Sequence, residues 1–206
     1  MILVKPLPLN IDLKLIPSVE RREHITPMGG FDQHESSDFF GSKPPYLPLA
    51  SRSDVLVFQS LPLDDDIEAT GPVMVKLWVS SSTPDTDFTA KLIDVYPSSE
   101  DYPQGYALNL TDGILRARYR NYRDHGEVMK PREVYELIIS LYPTSNLFKK
   151  SHRIRLDIAS SNFPRFDVNP NTGEPIGLNR RVVVAKNTVY HDRNHPSHVV
   201  LPIILL

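Results

Sequence analysis

The sequence predicts an all-β domain of the sandwich or barrel kind, on two observations. The first is a period of two. Val73, Val75, Leu77 and Val79 alternate with Met74, Lys76, Trp78 and Ser80, and Tyr135, Leu137, Ile139 and Leu141 alternate with Val134, Glu136, Ile138 and Ser140. Alternation of this kind puts one face of a strand on a core and the other toward solvent. The second is punctuation. Nineteen prolines and nine glycines cut the 206 residues into short segments, none of which carries an amphipathic helix of three turns.

The segments follow in order. Residues 1–50 hold many of the prolines, the pair Gly29-Gly30 and the pair Pro44-Pro45, and keep no period; they read as an irregular arm, with the domain proper at 51–206. Val55 to Phe58 is a compact apolar run, and the Val73–Val79 alternation is the next strand. Asp85-Thr86-Asp87 follows Ser80-Ser81-Ser82-Thr83-Pro84. Two carboxylates so placed suit a turn, since Asp readily accepts from nearby amides; a calcium loop would recruit more oxygen ligands nearby. Asp112-Gly113 is a turn signal, and the stretch after it places Arg116, Arg118 and Arg120 on one face of a strand, interleaved with Tyr119 and Tyr122. The Tyr135–Leu141 strand comes next, then a short helical piece near Asn146–Lys150. Ile154, Leu156 and Ile158 then alternate with Arg153, Arg155 and Asp157, as in a half-buried strand.

That strand empties into Ser160–Glu174, a loop with Phe163 and Phe166 set among asparagines, prolines and glycine. Solvated loops rarely carry two phenylalanines, so this one is expected to pack on its own domain or on something the chain does not contain. Val182 to Val184 and Val199 to Leu206 complete the β-rich runs.

The bulk numbers remove several function classes. With 23 basic and 25 acidic residues the formal net charge is -2, so no global field draws the chain to nucleic acid or to an anionic membrane. Basic residues with interleaved aromatics at Arg116–Tyr122 suit single-stranded nucleic acid, but pairing with carboxylates is the simpler account. The absence of cysteine excludes disulfides, thiolate catalysis and cysteine-zinc sites. No stretch approaches a membrane span, and the N-terminal apolar run is too short for a signal peptide. A soluble chain is expected, with a cytoplasmic placement favoured.

Catalysis finds no seat. No serine stands in a Gly-x-Ser-x-Gly setting, and an all-β chain lacks the parallel sheet that builds such an elbow. His191, His195 and His198 lie close enough to ligate a metal, yet Asn194 and Pro196 favour a polar turn between strands. No cofactor is implied.

Four segments in order, "VSSSTPDTDFTAKLIDVYP", "DGILRARYR", "SSNFPRFDVNPNTG" and "HPSHVVLPII", closely resemble the C-terminal domain of the cocaine esterase and X-prolyl dipeptidyl-peptidase family of serine hydrolases. The resemblance runs from about Gly29 to Ile204. It implies a jelly-roll β-sandwich similar to galactose-binding domains, without the catalytic triad, packed on an α/β-hydrolase domain. That partner is absent here and is expected in cis or in trans; an uncovered interface would promote self-association. The resemblance makes Gly29, Gly30 and Phe31 candidates for the rim of a substrate pocket. It also marks Asn162, Phe163, Arg165, Phe166 and Asp167: Phe163 pinned in the interior, Asn162 capping the turn, Asp167 paired with an arginine, Phe166 facing the missing domain. The alternatives are a free-standing sugar- or small-ligand-binding module, and a metal enzyme built on the three histidines.

Overall fold

The computed structural model describes residues 16–17, 32–37, 42, 44–163, 165–178 and 180–204. The expected rim residues Gly29, Gly30 and Phe31 lie outside these.

Every ladder among the described residues is antiparallel. The strands are β1 (Ile16–Pro17), β2 (Leu56–Gln59), β3 (Ile67–Gly71), β4 (Met74–Ser81), β5 (Asp87–Tyr96), β6 (Tyr106–Arg116), β7 (Tyr135–Ser140), β8 (Thr144–Phe148), β9 (Arg153–Ala159), β10 (Lys186–Tyr190), β11 (His198–Val200) and β12 (Ile203–Ile204). One sheet runs β1-β10-β4-β11 with β7 also on β4, a second runs β2-β9-β5-β6, and a small third runs β12-β3-β8. This is the expected all-β sandwich. Among the described residues no helix is long and apolar enough to cross a membrane.

The period of two does its work between the layers. Val75, Leu77 and Val79 of β4, with Leu137 and Ile139 of β7, share one core with Phe88, Ala90 and Leu92 of β5 and Ile154, Leu156 and Ile158 of β9. Gly113 of β6 allows a close crossing: an added Cβ would stand 2.8 Å from the Ser140 carbonyl oxygen. The side chain of Thr111 donates to the Tyr142 carbonyl nearby, at 2.8 Å.

Four expectations are corrected. Asp112-Gly113 is no turn but lies inside β6, paired with Lys91 and Ala90 of β5. The segment near Asn146–Lys150 is not helical: Thr144–Phe148 is strand β8, because Phe148 must reach the core while Leu147 faces outward. Val182 to Val184 is not a strand but an exposed stretch ahead of β10. Arg118 and Arg120 are not on a strand, since β6 ends at Arg116 and Ala117–Tyr119 is a turn of 3-10 helix.

The arm is partly seen. Gln33 donates its amide to the Ala107 carbonyl at 2.9 Å, Asp32 bridges Leu108, and Leu49 returns its amide to the Gln33 carbonyl at 3.0 Å. Asp32 and Gln33 thus extend the sheet beyond β6, and Leu49, which pairs with Gln33, is buried.

Register gives a direct test. Phe148→Ala should cost about 3–5 kcal/mol in urea denaturation, while Leu147→Ala, one residue away on the exposed face of β8, should stay within about 0.5 kcal/mol. Equal effects would mean the register is wrong.

Candidate functional site

The chemistry-bearing residues gather around the loop that follows β9, in two clusters, both built on buried charge.

The first joins that loop to the turn before β5. Asp85 and Asp87 are buried, at 0% and 1% exposure. One oxygen of Asp85 accepts from the Arg118 backbone amide at 3.1 Å, the other from Arg118 Nε at 2.7 Å. Asp87 accepts from Arg116 Nε at 2.9 Å and Nη2 at 3.1 Å, a bidentate pairing. The side-chain amide of Asn169 donates to both carboxylates, at 3.0 and 2.7 Å. So the expected turn carboxylates do more than shape a turn: they clamp two arginines and one loop asparagine. Sequence reading placed the pairing of Arg116 and Arg118 with acids but not its depth. The hydrogen bonds and charge of Asp87 hold the Arg116 guanidinium above its ordinary range.

From there the hold passes into the loop. Arg118 donates from Nη1 and Nη2 to the Glu174 carbonyl, each at 3.1 Å. Asn169 Oδ1 accepts from the Asn171 amide, and Asn171 donates from Nδ2 to the Val183 carbonyl, both at 2.9 Å. Gly173, at φ +74°, lies against Pro84, where a Cβ would meet the ring at 3.1 Å. Both the backbone conformation and the space select glycine there.

The second cluster lies on the outer face of the β2-β9-β5-β6 sheet. Lys91 of β5 is flanked in register by Asp112 of β6 and Asp157 of β9. All three are buried, as is Arg155. Arg155 donates from Nη2 to Asp157 at 3.0 Å, while its Nε stands 3.0 Å from the other carboxylate oxygen without the alignment of a hydrogen bond. Asn162 and Arg165 both donate to Asp112, at 3.1 and 3.2 Å. Lys91 Nζ donates to Gln33 Oε1 of the arm at 3.1 Å. Beside it is a cavity of about 10 Å³, lined by Gln33, Leu49, Lys91 and Asp157 among others, with room for about one water.

The alternation of Arg153, Arg155 and Asp157 with the core residues of β9 predicts a solvated face here. The arm and the post-β9 loop cover most of it. Nothing in the local pattern announces that cover; a lysine between two in-register aspartates is the one signal that could have.

The remaining candidates divide. Asn162 is buried and serves Asp112, rather than capping its turn through its side chain. Arg165 goes to Asp112, not to Asp167, which is exposed. The Arg165 guanidinium also lies over the rings of Tyr142 and Phe166, at 5.9 and 5.6 Å. Phe166 is half-buried, and so is Phe163, which stays outside the central core. The three histidines sit around a turn after β10: His195 contacts Asp192, and His198 Nδ1 lies 2.7 Å from the Pro196 carbonyl. Among the described residues no group of three acids or histidines is arranged to hold a metal.

Comparison with known proteins bears on this arrangement. The family described as the X-Pro dipeptidyl-peptidase C-terminal non-catalytic domain matches residues 20–200. The cocaine esterase of Rhodococcus sp. (strain MB1 Bresler) is 44% identical over 159 residues, covering 76% of this chain and 27% of that protein. A putative serine esterase of Mycobacterium bovis, Mb1866c, is 31% identical over 172 residues, with 75% and 25% covered. Among solved structures, an aminopeptidase from a Thaumarchaeota archaeon of marine sediment is 32% identical with a TM-score of 0.72, covering 76% of this chain and 27% of that one. An α-amino acid ester hydrolase is 31% identical, also at 0.72, with 76% and 26% covered. The chain therefore spans about a quarter of the length of these relatives.

Two measurements check the clusters. Asp85→Ala strands the largely buried Arg118 guanidinium and should cost about 3–5 kcal/mol, with faster hydrogen exchange at the Val183 amide. For Lys91, burial lowers the amine from 10.5 to about 8, against the pull of Asp112 and Asp157; Arg165 and Arg155 add to the lowering. Between those values the unfolded chain binds a proton that the folded chain has lost, so this group's contribution to stability rises with pH from about 8 to 10.5. Urea titrations at both ends of that window should show the rise in the parent and a flatter profile in Lys91→Met. Parallel profiles would remove the assignment.

Proposed function

The chain belongs to the family of X-Pro dipeptidyl-peptidase C-terminal non-catalytic domains, and we propose that it serves as the non-catalytic part of a serine hydrolase acting on esters or amides. In this reading it packs on an α/β-hydrolase domain, in cis or in trans, and helps to shape that domain's substrate pocket. The match over residues 20–200 carries the proposal. Two features support it. The sequence has no Gly-x-Ser-x-Gly of its own, and the loop that the family motif marks is held by buried ion pairs while presenting side chains outward. A rim role for Asn162, Phe163, Arg165, Phe166 and Asp167 belongs to the same proposal, with Arg165 and Asp167 exposed and Phe166 half-buried.

The competing reading, a free-standing ligand-binding module, has one structural support. Tyr102 and Tyr106 stack at 4.9 Å between ring centroids, with Tyr96 edge-on at 5.7 Å to Tyr102, a small aromatic platform at the end of the β5–β6 hairpin. Calorimetry against a glycan panel separates the two, with no heat expected.

The main test is in the native source. Lysate is treated with a fluorophosphonate probe that labels active serine hydrolases, then precipitated with antibody to this chain. The label should appear in a polypeptide much larger than 23.4 kDa, or in a partner that precipitates with it. An unlabelled band at 23.4 kDa with no labelled partner would sink the proposal.

A further inference from the structure

Large apolar side chains crowd one stretch of the surface. Val168, Ile176, Leu178, Val182 and Val184 are 40%, 58%, 70%, 58% and 45% exposed. Scattered exposed apolar residues are ordinary; a run of them on one loop is not. The loop also brings them together. Its two legs are joined where Val183 donates to the Pro170 carbonyl at 2.9 Å and where Asn171 reaches the Val183 carbonyl. Nearer the tip, the Arg180 amide approaches Glu174 Oε2 at 3.4 Å. Ile176 and Leu178 stand on that tip, around Gly177, which has nothing within 4 Å of where a Cβ would be. Val128, itself 48% exposed, continues the patch beneath Gly173.

A loop with this composition would ordinarily fold its apolar groups inward. Here the inward positions are taken. Asn169 and Asn171 are buried in polar contacts, and Arg118 grips the Glu174 carbonyl. The frame is therefore fixed, and the apolar groups are turned away from the domain's own core.

We infer that the surface formed by Val128, Val168, Ile176, Leu178, Val182 and Val184 is the docking face for the hydrolase portion of the enzyme. The inference rests on the reading under "Proposed function" and names the surface that reading needs. The length of the relatives outside the matched part argues for that occupant: about three-quarters of each lies there. Arg180 and Arg181 are exposed at the patch edge, with Arg181 only loosely paired to Glu174 at 3.7 Å. The face fits an apolar partner surface bordered by carboxylates.

The test is a chimera in which this chain replaces the matching part of the Rhodococcus cocaine esterase, made with Ile176→Asp/Leu178→Asp and, as a control away from the patch, with Leu61→Asp. Leu61 is 81% exposed. The double variant should lower the chimera's Tm by about 4 °C or more and reduce its esterase activity at least fivefold, while leaving the urea midpoint of the 206-residue chain alone unchanged. The control should do neither. An active chimera indifferent to the double substitution would overturn the docking face and leave the proposed function standing. A chimera that folds but has no esterase activity even without substitution would count against the proposed function itself. Sedimentation of the chain alone gives a further arm: self-association abolished by the double substitution would assign the face to a second copy instead.

Discussion

Two carboxylates buried side by side, Asp85 and Asp87, set the terms for one end of this molecule. Like charges so close repel, and neither can be left without partners in a dry interior. The chain answers with a guanidinium for each and one asparagine amide shared between them. Meeting that demand forces β6 to stop at Arg116, turns Ala117–Tyr119 into a tight 3-10 turn so that the Arg118 amide also reaches Asp85, and draws Asn169 back across the sandwich end. Buried ion pairs of this sort fix geometry more surely than they add net stability. The shape of the loop that follows is a result of that geometry.

The outer face of the β2-β9-β5-β6 sheet shows the same preference for buried charge in a different setting. Lys91, Arg155 and Arg165 face Asp112 and Asp157, one more cation than anion, and burial weighs against the most removable of the three charges. The cover over this row is made of the arm, through Gln33 and Leu49, and of the post-β9 loop, through Asn162 and Arg165. Two segments distant in sequence, one holding Gln33 and the other Asn162 and Arg165, are thus joined to the sheet by one polar network.

Much of this was legible in the sequence, and the divisions are physical. Strands with one face in the core, such as β4, β7 and β9, announced themselves because alternation is a local property. The pairing of Arg116 and Arg118 with acids followed from charge bookkeeping. What could not be read was anything decided by a distant segment. Arg155 and Asp157 looked solvated because their cover comes from residues before Leu56 and after Ala159. Val182–Val184 looked like a strand because its composition is that of one, whereas Asn171 and Pro170 occupy its hydrogen bonds. Asn146–Lys150 looked helical because a strand of five residues with one core anchor, Phe148, carries little periodic signal.

Arg118 holds the post-β9 loop by the carbonyl oxygen of Glu174 and not by its side chain. Asn171 likewise holds the Val183 carbonyl. A main-chain oxygen is the same whatever residue bears it, so these contacts place no demand on the outward side chains; at the tip, the left-handed backbone of Gly177, φ +81°, selects its residue. Outward side chains such as those of Ile176, Leu178 and Val182 can be exchanged while the loop keeps its outline, as lettering can change on a fixed signboard. A fold with that property can be refitted to different neighbours by altering a few outward side chains, with no renegotiation of its interior.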